Sequence, residues 1–156
     1  MKRNKHLLFI CIAIPLIVGG VSALLTQNRM EVFDRVVQPP LSSPAWLFPV
    51  VWTILYTLMG ISSYLILTSD SDFQEKEDAI RLYAYQLLVN FLWPTFFFNF
   101  GWYLFAFLWL VLLWVLVFLM IRKFFEINRF AAYMNIPCLI WLTFAAYLNL
   151  GIWWLN

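Results

Sequence analysis

Residues 102–121 read WYLFAFLWLVLLWVLVFLMI, an uncharged stretch that decides the class of this protein. A hydrocarbon layer about 30 Å thick takes roughly 20 apolar residues to cross as a helix, so the stretch predicts a transmembrane helix. The composition agrees, because 64% of the 156 residues are hydrophobic and only 12% are charged. Four further stretches meet the same requirement: residues 7–25, 46–68, 80–99 and 130–154. We therefore expect an all-α integral membrane protein, a five-transmembrane-helix bundle forming a single domain over residues 1–156.

Positive charges are distributed unevenly between the two ends of this predicted bundle. With five crossings, the N-terminus, the second loop and the fourth loop share one side, and the opposite side carries only Arg29 and Arg35. The basic residues on the first side are Lys2, Arg3, Lys5, Lys76, Arg81, Arg122, Lys123 and Arg129. Because Lys and Arg near span ends stay in the cytoplasm, we predict a cytoplasmic N-terminus and a C-terminus outside. The clusters are too small to predict nucleic acid as a partner.

The first loop, residues 26–45, is the longest connection and contains Pro39, Pro40 and Pro44. Proline cannot continue a helix and favours extended backbone in the residue before it. We therefore expect a partly rigid, lid-like segment that covers one end of the bundle.

The N-terminal stretch also has features of a secretory signal peptide. Basic residues precede the apolar run, and residues 21–23 resemble a small-residue cleavage site. The apolar run is nevertheless longer than the usual core of a signal peptide, so we expect it to be retained as the first transmembrane helix.

Five of the nine tryptophans lie well inside the apolar stretches, although tryptophan normally collects at the membrane interfaces. Three of them share a helical face with polar residues, given their spacing. These faces are Trp52, Tyr56, Met59 and Ser63; Gln86, Asn90, Trp93 and Phe97; and Pro137, Trp141, Ala145, Asn149 and Trp153. If the three faces converge, they form a cavity for a flat aromatic ligand. The alternative is that the indoles and amides only hold the helices together.

The other tryptophans carry no ligand prediction from this pattern. We expect Trp109 and Trp114 to face lipid or a second subunit. Trp46, Trp102, Trp153 and Trp154 lie near span ends and fit an interfacial belt, with Trp46 also close enough to the second span to contact a ligand.

Several kinds of chemistry lack the residues they need. Apart from Arg81, at the start of the third stretch, the five stretches contain no charged residue and no histidine. Ion-coupled transporters generally need an ionisable group at this depth. We find no nucleophile and base pair and no phosphate loop. Cys11 and Cys138 have no metal-ligand spacing, so neither a metal site nor a resident cofactor is predicted.

Three motifs resemble the TspO/MBR family, the tryptophan-rich sensory proteins related to the translocator protein. Residues 48–60, FPVVWTILYTLMG, are similar to the family's second span. Residues 86–94, QLLVNFLWP, followed by three phenylalanines, resemble its third span. Residues 137–141, PCLIW, with Ala145 and Asn149, resemble its fifth. The motifs stand in the family's order and extend over nearly the whole chain.

This resemblance implies a membrane receptor or sensor, usually dimeric and here of the bacterial plasma membrane, with membrane lipid around it. Such proteins bind porphyrins and aromatic drug-like ligands in a pocket closed by the first loop, with porphyrin as ligand or substrate rather than cofactor. Together, the helical faces and the resemblance give these ligand-binding residues: Trp46, Phe48, Trp52, Tyr56, Asn90, Trp93, Phe97, Trp141, Ala145 and Asn149.

Two alternatives accompany the receptor function. The first is light- and oxygen-dependent porphyrin degradation, in which Trp52 and Trp141 would donate electrons without conventional catalytic residues. The second is passive transport of tetrapyrroles or lipids.

The chain departs from the family pattern at two positions. Leu41, Ser42, Ser43 and Pro44 stand where the family usually has an aromatic residue followed by a double proline. No basic residue follows Asn149, so the family's sterol-recognition pattern is incomplete. We therefore expect a differently shaped lid and no sterol binding through that pattern.

Overall fold

The computed structural model describes residues 4–29 and 31–156, and the ordered elements in these two ranges are helices. A 3-10 turn, Gln27–Arg29, follows the first helix, and a π-helical segment, Thr95–Asn99, follows the fourth. The α-helices are α1 (Lys5–Thr26), α2 (Glu31–Arg35), α3 (Leu47–Leu67), α4 (Phe73–Pro94), α5 (Tyr103–Ile127), α6 (Arg129–Tyr133) and α7 (Ile136–Leu155).

Four segments within the described ranges are long and apolar enough to cross a membrane. They are Lys5–Arg29, Leu47–Leu67, Tyr103–Ile127 and Arg129–Leu155. The fifth crossing is α4, whose first turns carry the charges of the second loop and lower its average hydropathy. The molecule is thus an all-helical membrane bundle of five long helices, with α2 and α6 as short additions.

Helix bounds differ from the predicted spans where polar residues continue a helix beyond the apolar part. The third span, predicted from residue 80, begins at Phe73, because its exposed first turns are stabilised by pairs four residues apart. Gln74 donates to Asp78 at 3.0 Å and Arg81 to Glu77 at 2.8 Å. Likewise the fourth span, predicted to end at residue 121, continues to Ile127.

The fifth predicted span, residues 130–154, is divided between α6 and α7 at Met134 and Asn135. Pro137 is the second residue of α7, a position where the missing N–H has no intrahelical acceptor. A continuous helix would need that N–H, so the chain breaks before the proline and restarts.

The five long helices form a closed ring. α1 packs against α3 and α4, α4 against α5, and α5 against α6 and α7, while α6 returns to α3. Contact between α1 and α3 is closest at Gly60, where a Cβ atom would lie 2.5 Å from the Cα of Ile12. α1 therefore packs directly against both α3 and α4.

The first loop is fastened to the C-terminal end of α7. The backbone N–H of Val37 donates to Asn156 Oδ1 at 3.1 Å, and Asn156 Nδ2 donates to the carbonyl of Val37 at 2.9 Å. Tyr147 donates its hydroxyl to the carbonyl of Pro40 at 2.6 Å. The loop is not wholly extended as its prolines predict, because α2 precedes them and packs Phe33 edge-on against Phe48, with ring centroids 5.1 Å apart.

Candidate functional site

A cavity of about 370 Å³ lies between α1, α3 and α4, at the end of the bundle that carries the first loop. From α1 and the turn after it come Leu16, Gly19, Gly20, Ser22, Ala23, Thr26 and Gln27. From α3 come Phe48, Pro49, Trp52, Thr53 and Tyr56, and from α4 and the π-helical segment come Asn90, Trp93, Pro94 and Phe98. Five of the ten residues predicted to bind ligand are in this lining: Phe48, Trp52, Tyr56, Asn90 and Trp93.

Five of the sixteen residues that line the cavity are aromatic. The rings of Trp52 and Tyr56 follow one another along α3, with centroids 5.4 Å apart and planes tilted by 31°. On the α4 side, Trp93 meets Phe98 edge-on at 6.1 Å. Flat ring faces on two sides of an apolar space suit a planar conjugated ligand, because such a ligand can stack while shedding its water.

Asn90, which lines the cavity, has a buried hydrogen-bond donor that lacks a partner among the described residues. Asn90 is 3% exposed, and its Oδ1 accepts the hydroxyl proton of Tyr56 at 3.3 Å. Its Nδ2 group has no hydrogen-bond partner among the described residues. A buried, unpaired amide donor costs about 1–3 kcal/mol. A carbonyl or carboxylate on a ligand would remove that cost, so Asn90 gives the cavity a specific chemical preference.

The contribution of α1 follows from its small side chains. A Cβ atom on Gly19 would lie 2.3 Å from the ring of Tyr56, so only glycine lets the helix and the ring approach this closely. Ser22 donates its hydroxyl to the carbonyl of Phe91 at 2.9 Å and ties α1 to α4. The four small residues within positions 19–23 predict close packing against a neighbouring helix, which these contacts confirm, but the sequence did not indicate that they line a cavity.

Asn149 and the indole N–H of Trp93 were predicted to bind ligand, but in the structure they form hydrogen bonds between helices. Trp93 Nε1 donates to Asn149 Oδ1 at 3.1 Å, and Asn149 Nδ2 donates to the carbonyl of Tyr103 at 2.7 Å. These two bonds connect α4, α7 and α5. For this pair, the alternative that indoles and amides hold the helices together agrees with the geometry. The ring of Trp93 still borders the cavity.

Four other predicted residues lie away from the cavity. Trp141 packs edge-on against Phe48 at 5.6 Å, and within the described part of the chain its buried Nε1 has no partner. Ala145 is buried on the same helix, and Phe97 is stacked on Trp93. Trp46 is 67% exposed. The faces of α3 and α4 thus converge with α1, since α7 packs mainly against α5.

The expectation that Trp109 and Trp114 only face lipid or a second subunit was wrong. Trp109 Nε1 donates to the carbonyl of Val89 on α4 at 2.7 Å. Trp114 Nε1 donates to the hydroxyl of Thr143 on α7 at 2.9 Å. Both rings are half-buried, so these indoles link α5 to its two neighbours and satisfy their N–H groups inside the membrane.

Tryptophans near the helix ends form a second aromatic region. Trp102, Trp153 and Trp154 are exposed and border an open depression between the start of α5 and the end of α7. Their position matches the interfacial belt expected for tryptophan at span ends. Because its tryptophans are exposed at the bundle surface, this depression is a weaker candidate for a ligand site than the cavity beside Asn90.

Comparisons with known proteins agree with this architecture. Residues 11–155 match the model of the TspO/MBR family. The tryptophan-rich protein TspO of Chlorobaculum tepidum is 33% identical, over 100% of this chain and 99% of its own length. Protein CrtK of Rhodobacter capsulatus is 35% identical, covering 88% of this chain and 85% of its own. The translocator protein of Ovis aries is 36% identical, covering 74% and 69%. This chain therefore belongs to the TspO/MBR family and is an integral membrane protein with that family's five-helix bundle.

Proposed function

We propose that this protein is a membrane receptor that binds porphyrins and other flat aromatic ligands in the cavity between α1, α3 and α4. Trp52 stacks on the ligand, and Asn90 donates a hydrogen bond to an acceptor on it. The observation that carries the proposal is that Asn90, a residue of the cavity lining that also contains five aromatic side chains, has a buried Nδ2 group without a partner among the described residues. A relative from Cereibacter sphaeroides is named tryptophan-rich sensory protein, and this name agrees with a sensing role.

Cavity size sets how a ligand fits. Small-molecule sites occupy about 300–1,000 Å³, and the volume of about 370 Å³ lies near the lower limit. An aromatic drug-like molecule fits inside, whereas a porphyrin enters with one edge and leaves the other near the opening. That pose brings a ring face to Trp52 and a peripheral carbonyl or carboxylate to Asn90.

The test is a titration of purified protein with protoporphyrin in the dark, followed by tryptophan quenching. We expect saturable quenching and an affinity reduced about threefold in Trp52→Phe, because phenylalanine keeps a ring but stacks over a smaller area than indole, and a whole aromatic contact contributes about 0.5–1.5 kcal/mol. Trp114→Phe is the matched control, because Trp114 bonds to Thr143 outside the cavity. Its affinity should equal that of the wild type. An equal loss in both variants, or no saturation in the wild type, would contradict the proposal.

A second function, light-dependent porphyrin degradation, is favoured by one observation: Trp52 is both redox-active and part of the cavity wall. In this reaction the photoexcited porphyrin takes one electron and the N–H proton from the indole, and the porphyrin radical combines with oxygen at a meso carbon. Return of the hydrogen atom to the indolyl radical regenerates Trp52, so the net change is addition of both oxygen atoms and cleavage of one meso carbon–carbon bond to two carbonyl groups. Trp141 is a weaker donor candidate, because it is separated from the cavity by Phe48, which lines the cavity and contacts Trp141.

Illumination of the porphyrin complex tests this second function. We expect the porphyrin absorbance to fall in the wild type and in Trp141→Phe, and to persist in Trp52→Phe at ligand concentrations that saturate it. Binding without any spectral loss in the wild type would leave a receptor and remove the reaction. Passive transport is not favoured, because contacts at Gly19 and Gly60 close α1 onto α3 beyond the inner end of the cavity.

The homodimer is a separate proposal, supported by the family resemblance. Its mass in detergent or nanodiscs, measured by light scattering, should be that of two chains, and a mass of one chain would contradict it.

A further inference from the structure

We propose that the cleft between α1 and α3, bordered by Gly20, Ala23 and Thr53, is a lateral entrance through which the ligand reaches the cavity from the hydrocarbon of the bilayer. This inference rests on the proposed binding function. It adds a route and a ligand class: flat, apolar molecules that dissolve in the membrane and carry a hydrogen-bond acceptor for Asn90.

The two helices touch at one end of the cleft and separate at the other. Contact is closest at Gly60, against the backbone of Cys11 and Ile12, and continues to Gly19 against Tyr56. The next position on α1 faces open space, because a Cβ atom on Gly20 would meet no described atom within 4 Å. Gly20 nevertheless lines the cavity and is exposed on the surface. The cavity therefore opens sideways at this point.

On both helices, the residues at the rim of the opening are exposed and line the cavity. Ala23, one turn beyond Gly19 on α1, is exposed and lines the cavity. On α3, Pro49 and Thr53 are also exposed lining residues. Only 17% of the apolar segment that includes α1 is buried, against 28% for that of α5, so α1 is a peripheral helix. An opening along its edge faces the surroundings of the bundle rather than another helix.

Those surroundings are hydrocarbon at this depth. Gly20 lies six residues before the end of α1 at Thr26, and Thr53 six residues after the start of α3 at Leu47. At about 1.5 Å per residue, both lie roughly 9 Å inside the helix ends. The exposed neighbours on the two helices are apolar: Ile17, Val21 and Leu24 on α1, and Val50 and Ile54 on α3.

The hydroxyl groups on the α3 rim have hydrogen-bond partners within the protein and do not need water. Thr53 donates its hydroxyl to the carbonyl of Pro49 at 2.7 Å, and Thr57 donates to the carbonyl of Thr53 at 2.8 Å. Hydroxyls that face lipid are thus satisfied within their own helix. The first loop is fastened to α7 through Val37, Pro40 and Asn156, on the far side of the bundle from this opening between α1 and α3.

The entrance is tested by the rates of binding in proteoliposomes, measured by stopped-flow tryptophan quenching with protoporphyrin. Gly20→Leu places a side chain in the opening without a clash, and Thr53→Leu narrows the opposite rim. For both variants we expect the association rate to fall by about tenfold without a rise in the dissociation rate. Val21→Leu is the matched control, because Val21 faces lipid outside the cavity and should leave both rates unchanged.

A second measurement compares two porphyrins that differ in how well they dissolve in the bilayer. Uroporphyrin, whose many carboxylates keep it in water, should associate far more slowly than protoporphyrin.

The outcomes separate the entrance from the binding function. Unchanged rates in both Gly20→Leu and Thr53→Leu, with normal wild-type binding, would overturn the entrance alone. Weaker binding with a raised dissociation rate would also overturn it, since this result indicates a filled cavity rather than a blocked route. Absence of saturable quenching in the wild type would overturn the binding function and the entrance with it.

Discussion

Asn90 shows how one amide can serve both the fold and a ligand. Its Oδ1 accepts from Tyr56 and so joins α4 to α3, while its Nδ2 has no partner in the described part of the chain. Asn149 is the opposite case, because both ends of its amide are used within the bundle. The difference between these two asparagines lies in their surroundings, since the two side chains are chemically identical.

Asn90→Leu and Tyr56→Phe separate the two uses of Asn90. Both variants lose the hydrogen bond between Tyr56 and Asn90, but only Asn90→Leu loses the free donor. We expect porphyrin affinity to fall about tenfold in Asn90→Leu, in line with about 1 kcal/mol for a hydrogen bond. Tyr56→Phe should stay within about threefold of the wild type. Equal affinities in the two variants, measured by dark titration, would remove Asn90 Nδ2 from the binding contacts.

At the scale of helices, α1 and α3 are joined through glycine rather than through large side chains. Gly60 brings the backbone of α3 against Cys11 and Ile12, and Gly19 brings α1 against the ring of Tyr56. Close approach maximises van der Waals contact, which drives association of helices in lipid, where water is absent. The same packing defines the inner end of the cavity, so the seam is structural and shapes the site.

Gly60→Ala tests this seam. The added methyl would lie 2.5 Å from a backbone atom that cannot rotate away, so α1 must shift. We expect a loss of about 1–3 kcal/mol of stability, seen as a lower Tm in detergent. Gly20→Ala is the control: it meets no described atom and improves helix propensity, so its Tm should be unchanged or higher. Equal Tm values for the two variants would contradict the close contact at Gly60.

Orientation belongs to the whole molecule. Six of the eight basic residues assigned to the inner side lie in the described ranges, and Lys2 and Arg3 lie outside them. Those six are Lys5, Lys76, Arg81, Arg122, Lys123 and Arg129, located at or near the start of α1, the start of α4, the end of α5 and the start of α6. An antiparallel bundle brings these ends together, and we propose that they face the cytoplasm.

Cysteine labelling in intact cells tests the orientation. Leu41 in the first loop is 87% exposed, whereas the hydroxyl of Ser43 is buried, so Leu41→Cys is the better position. We expect Leu41→Cys to react with an impermeant thiol reagent before lysis, and Asp70→Cys, in the second loop, only after lysis. The native Cys11 and Cys138 are buried and should give little background. The reverse labelling pattern would overturn the proposed orientation.

Much of the bundle follows from local properties of the chain. Uncharged stretches of about 20 residues must form helices in a membrane, because the backbone groups have no other partner there. Helix ends were harder to predict, since α4 and α5 continue into polar segments where hydropathy no longer marks the helix. The faces bearing Trp52, Tyr56, Asn90 and Trp93 followed from the helical period.

The helix that packs against those faces could not be predicted from the helical period. The period indicates which residues share a face, but it does not indicate which helix lies opposite. A membrane bundle of five helices, its family and two of the three walls of the cavity could all be predicted from the residues in order. The packing of the helices was needed to show that α1 forms the third wall. It was also needed to show that Asn149 is bonded to Trp93 and Tyr103, and that Asn90 Nδ2 has no partner among the described residues. Hydropathy and period are local quantities, whereas the pairing of polar groups depends on packing between distant segments of the chain.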